Sequence, residues 1–261
     1  MKTFLSCRTG GLLAACALMI GVTGCKAPGK KTAQTPPTSA KPSQPTVQRP
    51  AQAQTGPLGR QSSYGRVNTH LPFVALTFDD GPHPTNTPRL LDILRQKNVK
   101  ATFFVVGTNA RKYPHILKRM VAEGHEIGNH TISHGKITTM PQPKIHNEIV
   151  GSQHAVTSAT GVAPRCFRPP YGAITSQQKG WIKGNYGLPS ILWSVDPEDW
   201  KKPGVGVVAQ RLVSGAAPGG ILLLHDIHAP SIDATPIAID RIKAKGLQFV
   251  TVSQLISMEP R

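Results

Sequence analysis

Thr77-Phe78-Asp79-Asp80-Gly81-Pro82 follows the apolar run Phe73-Val74-Ala75-Leu76, so two adjacent carboxylates stand where an expected strand ends. Neighbouring residues on a strand point to opposite faces. At a strand end the chain turns, and Gly81-Pro82 supplies the turn that lets both acids reach one place. Two adjacent acids repel unless a cation or a proton lies between them. Fifty residues on, His130-Thr131-Ile132-Ser133-His134 brings two imidazoles spaced i, i+4. One carboxylate oxygen and two imidazole nitrogens make the ligand set of a catalytic zinc site with an open position. The second acid is then free for proton transfer. Taken singly, Asp-Asp-Gly-Pro is more often a turn and HxxxH more often a surface pair, so the case depends on further motifs along the chain.

Working outward, strand-like and helix-like segments alternate. Strands are expected at 73–80, 101–107, 125–129, 166–168, 188–195, 220–225 and 247–252. Helices are expected from Thr87 (as N-cap, with Pro88 at N1), and at 114–123, 141–160, 176–183, 205–216 and 235–245. This rhythm predicts parallel strands joined by crossover helices, hence an α/β barrel. Asp79, Asp80, His130, Arg168, Asp196 and His225 fall at or just past the carboxyl ends of these strands, the face where barrel active sites assemble.

Three further motifs complete the set: Arg168-Pro169-Pro170-Tyr171, Asp196-Pro197-Glu198-Asp199-Trp200 and Leu222-Leu223-Leu224-His225-Asp226. With these, residues 73–256 resemble the polysaccharide deacetylases with a NodB homology domain, carbohydrate esterase family 4. All five family motifs stand in the family's order and spacing. The resemblance implies an incomplete, distorted (β/α)7 barrel over residues 71–261. It implies one divalent metal on Asp80, His130 and His134, zinc or else cobalt or nickel. It assigns Asp79 as general base oriented by Arg168, and the backbone N–H of Tyr171 to an oxyanion hole. His225 becomes the general acid held by Asp199, with Trp200 and Leu223 walling a pocket for the acetyl methyl. The expected substrate is an N-acetylated glycan. Ile132 stands where many relatives carry an aromatic residue, which puts local substrate contact in doubt but not metal binding.

The N-terminal quarter differs in composition. Residues 1–24 are expected to be a signal peptide: Lys2 and Arg8, an apolar stretch at 10–22, then Val22-Thr23-Gly24-Cys25, a lipobox that would make Cys25 the lipidated first residue. The apolar stretch is shorter than the ~20 residues of a membrane span. Residues 25–70 are expected to be a disordered linker rich in Pro, Gln, Thr, Ala and Lys and free of acids. As a coil its ~45 residues would reach roughly 35–40 Å. Lys26 after Cys25 points to an outer membrane if the cell has one. The mature chain keeps Cys166 as its lone cysteine beyond Cys25, so no intrachain disulfide is expected, and Cys166 is expected to be a small core residue.

Net charge is +17, from 30 basic and 13 acidic residues. Residues 1–78 hold nine of the basics and no acid, which leaves 21 − 13 = +8 on the rest. Such a balance suits an anionic surface, either phospholipid head groups or a glycan bearing carboxylates. No nucleic-acid-binding pattern is present, and a monomer is expected. Three functions compete: a peptidoglycan deacetylase, a deacetylase or esterase of chitin or acetylxylan, and an inactive wall-binding lipoprotein. Retention of both Asp79 and His225 argues against the last.

Overall fold

The computed structural model describes residues 58–260, an α/β barrel of parallel strands. The signal sequence, Cys25 and the linker up to residue 57 lie outside the described residues. The expected linker end at 70 is corrected. Residues 58–70 carry β1 (Ser63–Tyr64), which pairs in parallel with β5 (Ser190–Ile191). Leu58, Tyr64 and Val67 are buried there. Their apolar side chains, sparse amid polar neighbours, left no periodic signal.

The central strand is β2 (Phe73–Asp79). Its residues 75–79 run beside β6 (Ile221–His225). Its other edge is shared: β3 (Thr102–Val105) takes the C-terminal half and β7 (Gln248–Val250) the N-terminal half. β3 pairs with β4 (Glu126–Asn129). Single bridges then carry the ladder round, Asn129 to Phe167, Phe167 to Ser190, and Val195 to Leu222, which returns to β6. The distortion lies in these one-residue bridges and in β7, which touches only half of its neighbour.

Alternation along the strands sorts the side chains. Val74, Leu76, Phe78, Leu222 and Leu224 face outward into one core with Leu90, Leu91, Leu94, Ile232 and Ile239. Ala75, Phe104, Cys166, Ile191 and Ile221 belong to a second cluster with Val252, Leu255 and Ile256. Those last three lie on α8 (Val252–Ser257), a helix beyond the expected elements. Its Thr251–Gln254 capping box and the bonds Val252 N–H to Thr102 Oγ1 (2.9 Å) and Ser253 N–H to Glu126 Oε2 (2.9 Å) seat it on the N-terminal ends of β3 and β4. One end of the barrel is thereby plugged, and the C-terminal end stays open.

The crossover helices are α1 (Asn86–Gln96), α2 (Gly107–Lys112), α3 (Pro114–Ala122), α4 (Gln142–Thr160), α5 (Ser176–Tyr186), α6 (Val205–Gly215) and α7 (Ala229–Ala244). Two expected starts fail. Thr87 is not an N-cap; α1 begins at Asn86, and the Thr87 hydroxyl instead accepts from the His83 N–H at 2.7 Å and donates to Asp226. α7 starts at Ala229 rather than at 235 and runs through Pro236. Proline costs a helix one backbone bond. The buried stripe Ile232, Thr235, Ala238, Ile239, Ile242 packs the helix on both sides of that gap.

Candidate active site

The two adjacent acids reach one place because the strand ends between them. Asp79 is the last residue of β2 and points into the barrel with Thr77. Asp80 leaves the strand with φ 75°, a left-handed conformation that swings its carboxylate back to the same side. A Cβ on Gly81 would collide with the Asp226 carboxylate, so only glycine fits the turn.

His130 follows β4 directly, and its N–H bonds the Val105 carbonyl at 3.1 Å. Residues 130–134 form a loop, not a helix, with Thr131 at φ 64° and His134 at φ 60°. Side chains pin the loop: Asn129 Oδ1 accepts from the Thr131 N–H at 2.9 Å. Glu148, on α4, accepts from the Ser133 N–H (3.0 Å) and hydroxyl (2.7 Å). Non-glycine left-handed residues are uncommon and collect at functional sites. Here Asp80, Thr131, His134, Tyr171 and Glu198 all adopt that conformation.

Asp80 Oδ1 lies 3.0 Å from His134 Nε2 and 3.4 Å from His130 Nε2, and the three ligand atoms sit within 4.8 Å of one another. His130 Nδ1 contacts the Arg168 carbonyl at 2.7 Å, which fixes the proton there and leaves Nε2 with its lone pair toward Asp80. Asp80 Oδ1 is buried and has no hydrogen-bond partner. A buried carboxylate oxygen without a donor is costly, and a divalent cation among these three atoms satisfies it. The residues therefore fit a metal.

Arg168 is fully buried. A buried charge costs several kcal/mol unless it is paired and hydrogen-bonded, and every side-chain nitrogen here has a partner. Nη1 donates to Asp79 Oδ1 and Thr77 Oγ1, each at 2.7 Å; Nε and Nη2 donate to the Ile191 and Leu192 carbonyls at 3.1 Å. The guanidinium also lies 4.1 Å from the Phe104 ring centre. With Oδ1 held, Asp79 Oδ2 faces His130 Nε2 at 3.8 Å.

Across the mouth, His225 ends β6. Its Nδ1 lies 2.8 Å from Asp199 Oδ1, and Asp199 Oδ2 accepts the His225 N–H (2.8 Å) and the Ser231 hydroxyl (2.6 Å). Burial works against a charged imidazole, yet the Asp199 hydrogen bond and charge, with Asp79 and Asp80 beyond, raise the His225 pKa to about 9. A pKa lifted above the ordinary ~6.5 means the pair stabilises the fold fully below that value. The contribution is lost as pH rises through about 9.

The remaining motif residues surround this pair. Leu223 is buried and shares the inward face of β6 with His225 two residues on. Trp200 is half exposed, beneath the Lys201 ammonium at 4.9 Å. Asp196 does not enter the mouth; its Oδ1 accepts from the Glu198 N–H at 2.7 Å and shapes the turn that presents Asp199. Tyr171 adopts φ 63° in a one-turn helix at 170–172, where its N–H has no intrahelical partner. Its exposed ring meets His134 edge-on at 4.8 Å. His228 lies 6.1 Å from the His225 ring.

Ile132 packs against Gly107 and Gly151 and so wedges between α2 and α4. Sequence reasoning missed Thr77, Glu148, Ser231 and Asp226. The fully buried Asp226 is pushed up to about 7, by burial first and then by the Asp80 and Asp79 charges, against the Thr87 hydrogen bond. Its place directly after the motif histidine was the available signal.

A family profile described as Polysaccharide deacetylase matches residues 66–188. Over 158 residues the chain is 44% identical to the chitooligosaccharide deacetylase of a Bradyrhizobium species, covering 60% of this chain and 72% of that one. The chain belongs to the polysaccharide deacetylase family. It is also 42% identical over 182 residues to the peptidoglycan-N-acetylglucosamine deacetylase PgdA of Listeria monocytogenes, covering 70% of this chain and 38% of that one. This family member thus spans well under half the length of that relative. Among solved structures it is similar to the Bc1960 peptidoglycan N-acetylglucosamine deacetylase, with a TM-score of 0.72 and 36% identity over 77% of this chain and 95% of that one.

Proposed function

We propose that this chain hydrolyses N-acetyl groups on the N-acetylglucosamine units of a cell-wall glycan, peptidoglycan first among them. The observation that carries the reading is the convergence of three groups on the open end of one barrel: Asp80 with His130 and His134, Asp79 with Arg168, and His225 with Asp199. A divalent metal held by the first group, zinc or else cobalt or nickel, supplies Lewis acidity that makes water nucleophilic near neutral pH. Asp79 Oδ2, the oxygen that Arg168 leaves free, takes the water proton. The carbonyl oxygen gains charge as water adds, and the Tyr171 N–H donates to it. His225 Nε2 protonates the sugar nitrogen as the C–N bond breaks, since Nδ1 is committed to Asp199. Acetate and a free amine result. Leu223 and Trp200 flank the acetyl methyl.

The raised His225 pKa gives this mechanism a pH signature. The acid stays protonated up to about pH 9, so kcat/KM is expected to hold to that value and fall above it. Asp199→Asn is expected to draw the alkaline limb down toward ~6.5, the ordinary value for histidine. A pH–rate profile of both proteins checks this, and an unmoved limb in the variant counts against His225 as the acid.

The choice of peptidoglycan over chitin oligomers rests on charge. The Bradyrhizobium relative's name favours the second reading, but the +8 balance beyond residue 78 suits a glycan bearing carboxylates. Lys202, exposed directly after the Asp199–Lys201 turn, makes no ion pair among the described residues. Attraction between exposed charges is screened over ~8–10 Å at physiological salt. Acetate release from peptidoglycan is therefore expected to fall with added salt and in Lys202→Ala, while release from neutral chitin oligomers changes little. Equal rates on both with no salt effect would put the chitin reading first.

The lipobox supports anchoring through Cys25 in a membrane facing the periplasm or exterior, with residues 26–57 as a tether. Stable anchoring takes two or more acyl chains. Cys25→Ser is expected to move the protein from the membrane to the soluble fraction with turnover unchanged; wild-type protein found wholly soluble would end this reading.

A further inference from the structure

Met140, Gln142, Ile145, Gln177, Gln178 and Trp181 line an open groove of about 280 Å³. Its walls are Met140 with the first turns of α4 and α5, and two segments that leave the mouth lead to them. One runs from His134 through Gly135, whose Cα lies so close to the Met140 methyl that a Cβ there would collide with it. The other runs from Tyr171 to Thr175, which caps α5, the helix that carries Trp181. Gln178 is used by the fold, accepting from the Thr175 N–H and donating to the Ile137 carbonyl. The side chains of Gln142 and Gln177 are exposed and make no hydrogen bond among the described residues, and neither does the Trp181 indole N–H. Tyr186 meets the indole edge-to-face at 5.4 Å, and Ile182 and Ile145 belong to the cluster beneath it, so the ring is braced.

We infer that this groove is a second sugar subsite, which holds one pyranose unit of the same glycan at a distance from the unit being deacetylated. An indole offers an apolar face to the C–H face of a pyranose and a donor to a hydroxyl. Two free primary amides add donors and acceptors in the mixture that sugar hydroxyls and acetamides need. The six lining residues carry no formal charge, which suits a neutral occupant. Its volume lies just under the ~300–1,000 Å³ of small-ligand pockets, the scale of one sugar rather than an oligomer. Short stretches of chain, 134–140 and 171–176, connect the lining of the groove to the active-site residues His134 and Tyr171. The inference rests on the glycan reading above and adds a dependence on chain length.

The test is calorimetric binding of N-acetylglucosamine dimer and hexamer to the full chain without metal, where affinity does not depend on turnover. Wild type is expected to bind the hexamer at least tenfold more tightly than the dimer. Trp181→Ala and the double variant Gln142→Ala/Gln177→Ala are each expected to lose most of that advantage and keep the dimer affinity. The double variant alters exposed side chains alone, so it answers the question even if Trp181→Ala fails to fold. Equal weakening of dimer and hexamer, or no weakening of either, overturns the subsite. Hexamer binding that depends on the groove in a protein that releases no acetate when metal-loaded would sink the deacetylase reading and leave the subsite standing.

Discussion

Asp79→Asn is expected to lower kcat by at least ~10², and up to ~10⁴, the range for a lost general base, while the protein still binds one divalent ion per chain. The split follows from the geometry. Asp79 spends Oδ1 on Arg168 and turns Oδ2 to the mouth, while Asp80 alone places an oxygen within 3.4 Å of both imidazoles. An asparagine keeps the shape and one acceptor for Arg168 but cannot take a proton. Turnover and metal content, measured on one preparation, decide the matter. If Asp79→Asn loses the ion, the two acids exchange roles. The thermal midpoint is also expected to fall, since the buried Arg168 loses its counter-charge, and taking away one partner of a buried pair costs ~3–5 kcal/mol.

His134→Ala is expected to cut metal affinity severely and activity with it. Three protein ligands leave no spare, and Asp80 Oδ1 lies nearer His134 than His130. His134 is a quarter exposed and sits in a loop, whereas His130 is buried under the Arg168 carbonyl. The alanine variant should therefore fold, and titration calorimetry with zinc should show the loss directly. An affinity within a few-fold of wild type would remove His134 from the ligand set.

The barrel and the residues gathered at its mouth were legible because they follow short-range rules. Apolar runs alternating with helical stretches, a Gly-Pro turn after an acid pair, and five short motifs in the order of a known family all leave marks on consecutive positions. The supports were not legible, because each acts across the fold. Glu148 reaches the Ser133 turn, Ser231 reaches Asp199, and Asp226 meets Gly81 and Thr87 only once the barrel closes. The left-handed backbone at Asp80, His134 and Tyr171 is likewise set by surroundings and not by residue type. Local signals also misled where packing overrode them. The helix expected at 235–245 starts six residues earlier because the buried stripe of α7 runs past Pro236, and the polar run after residue 57 concealed Tyr64, a core residue.

The most direct measurement counts acetate and new amine together. Metal-loaded chain is incubated with peptidoglycan or an N-acetylglucosamine polymer, and released acetate and exposed primary amine are both quantified, before chelation, after it, and after metal is returned. The expected result is one amine for each acetate, none of either after chelation, and recovery of both on adding zinc. Acetate without amine would make the chain an esterase, and full release from chelated protein would contradict the mechanism built on Asp80, His130 and His134.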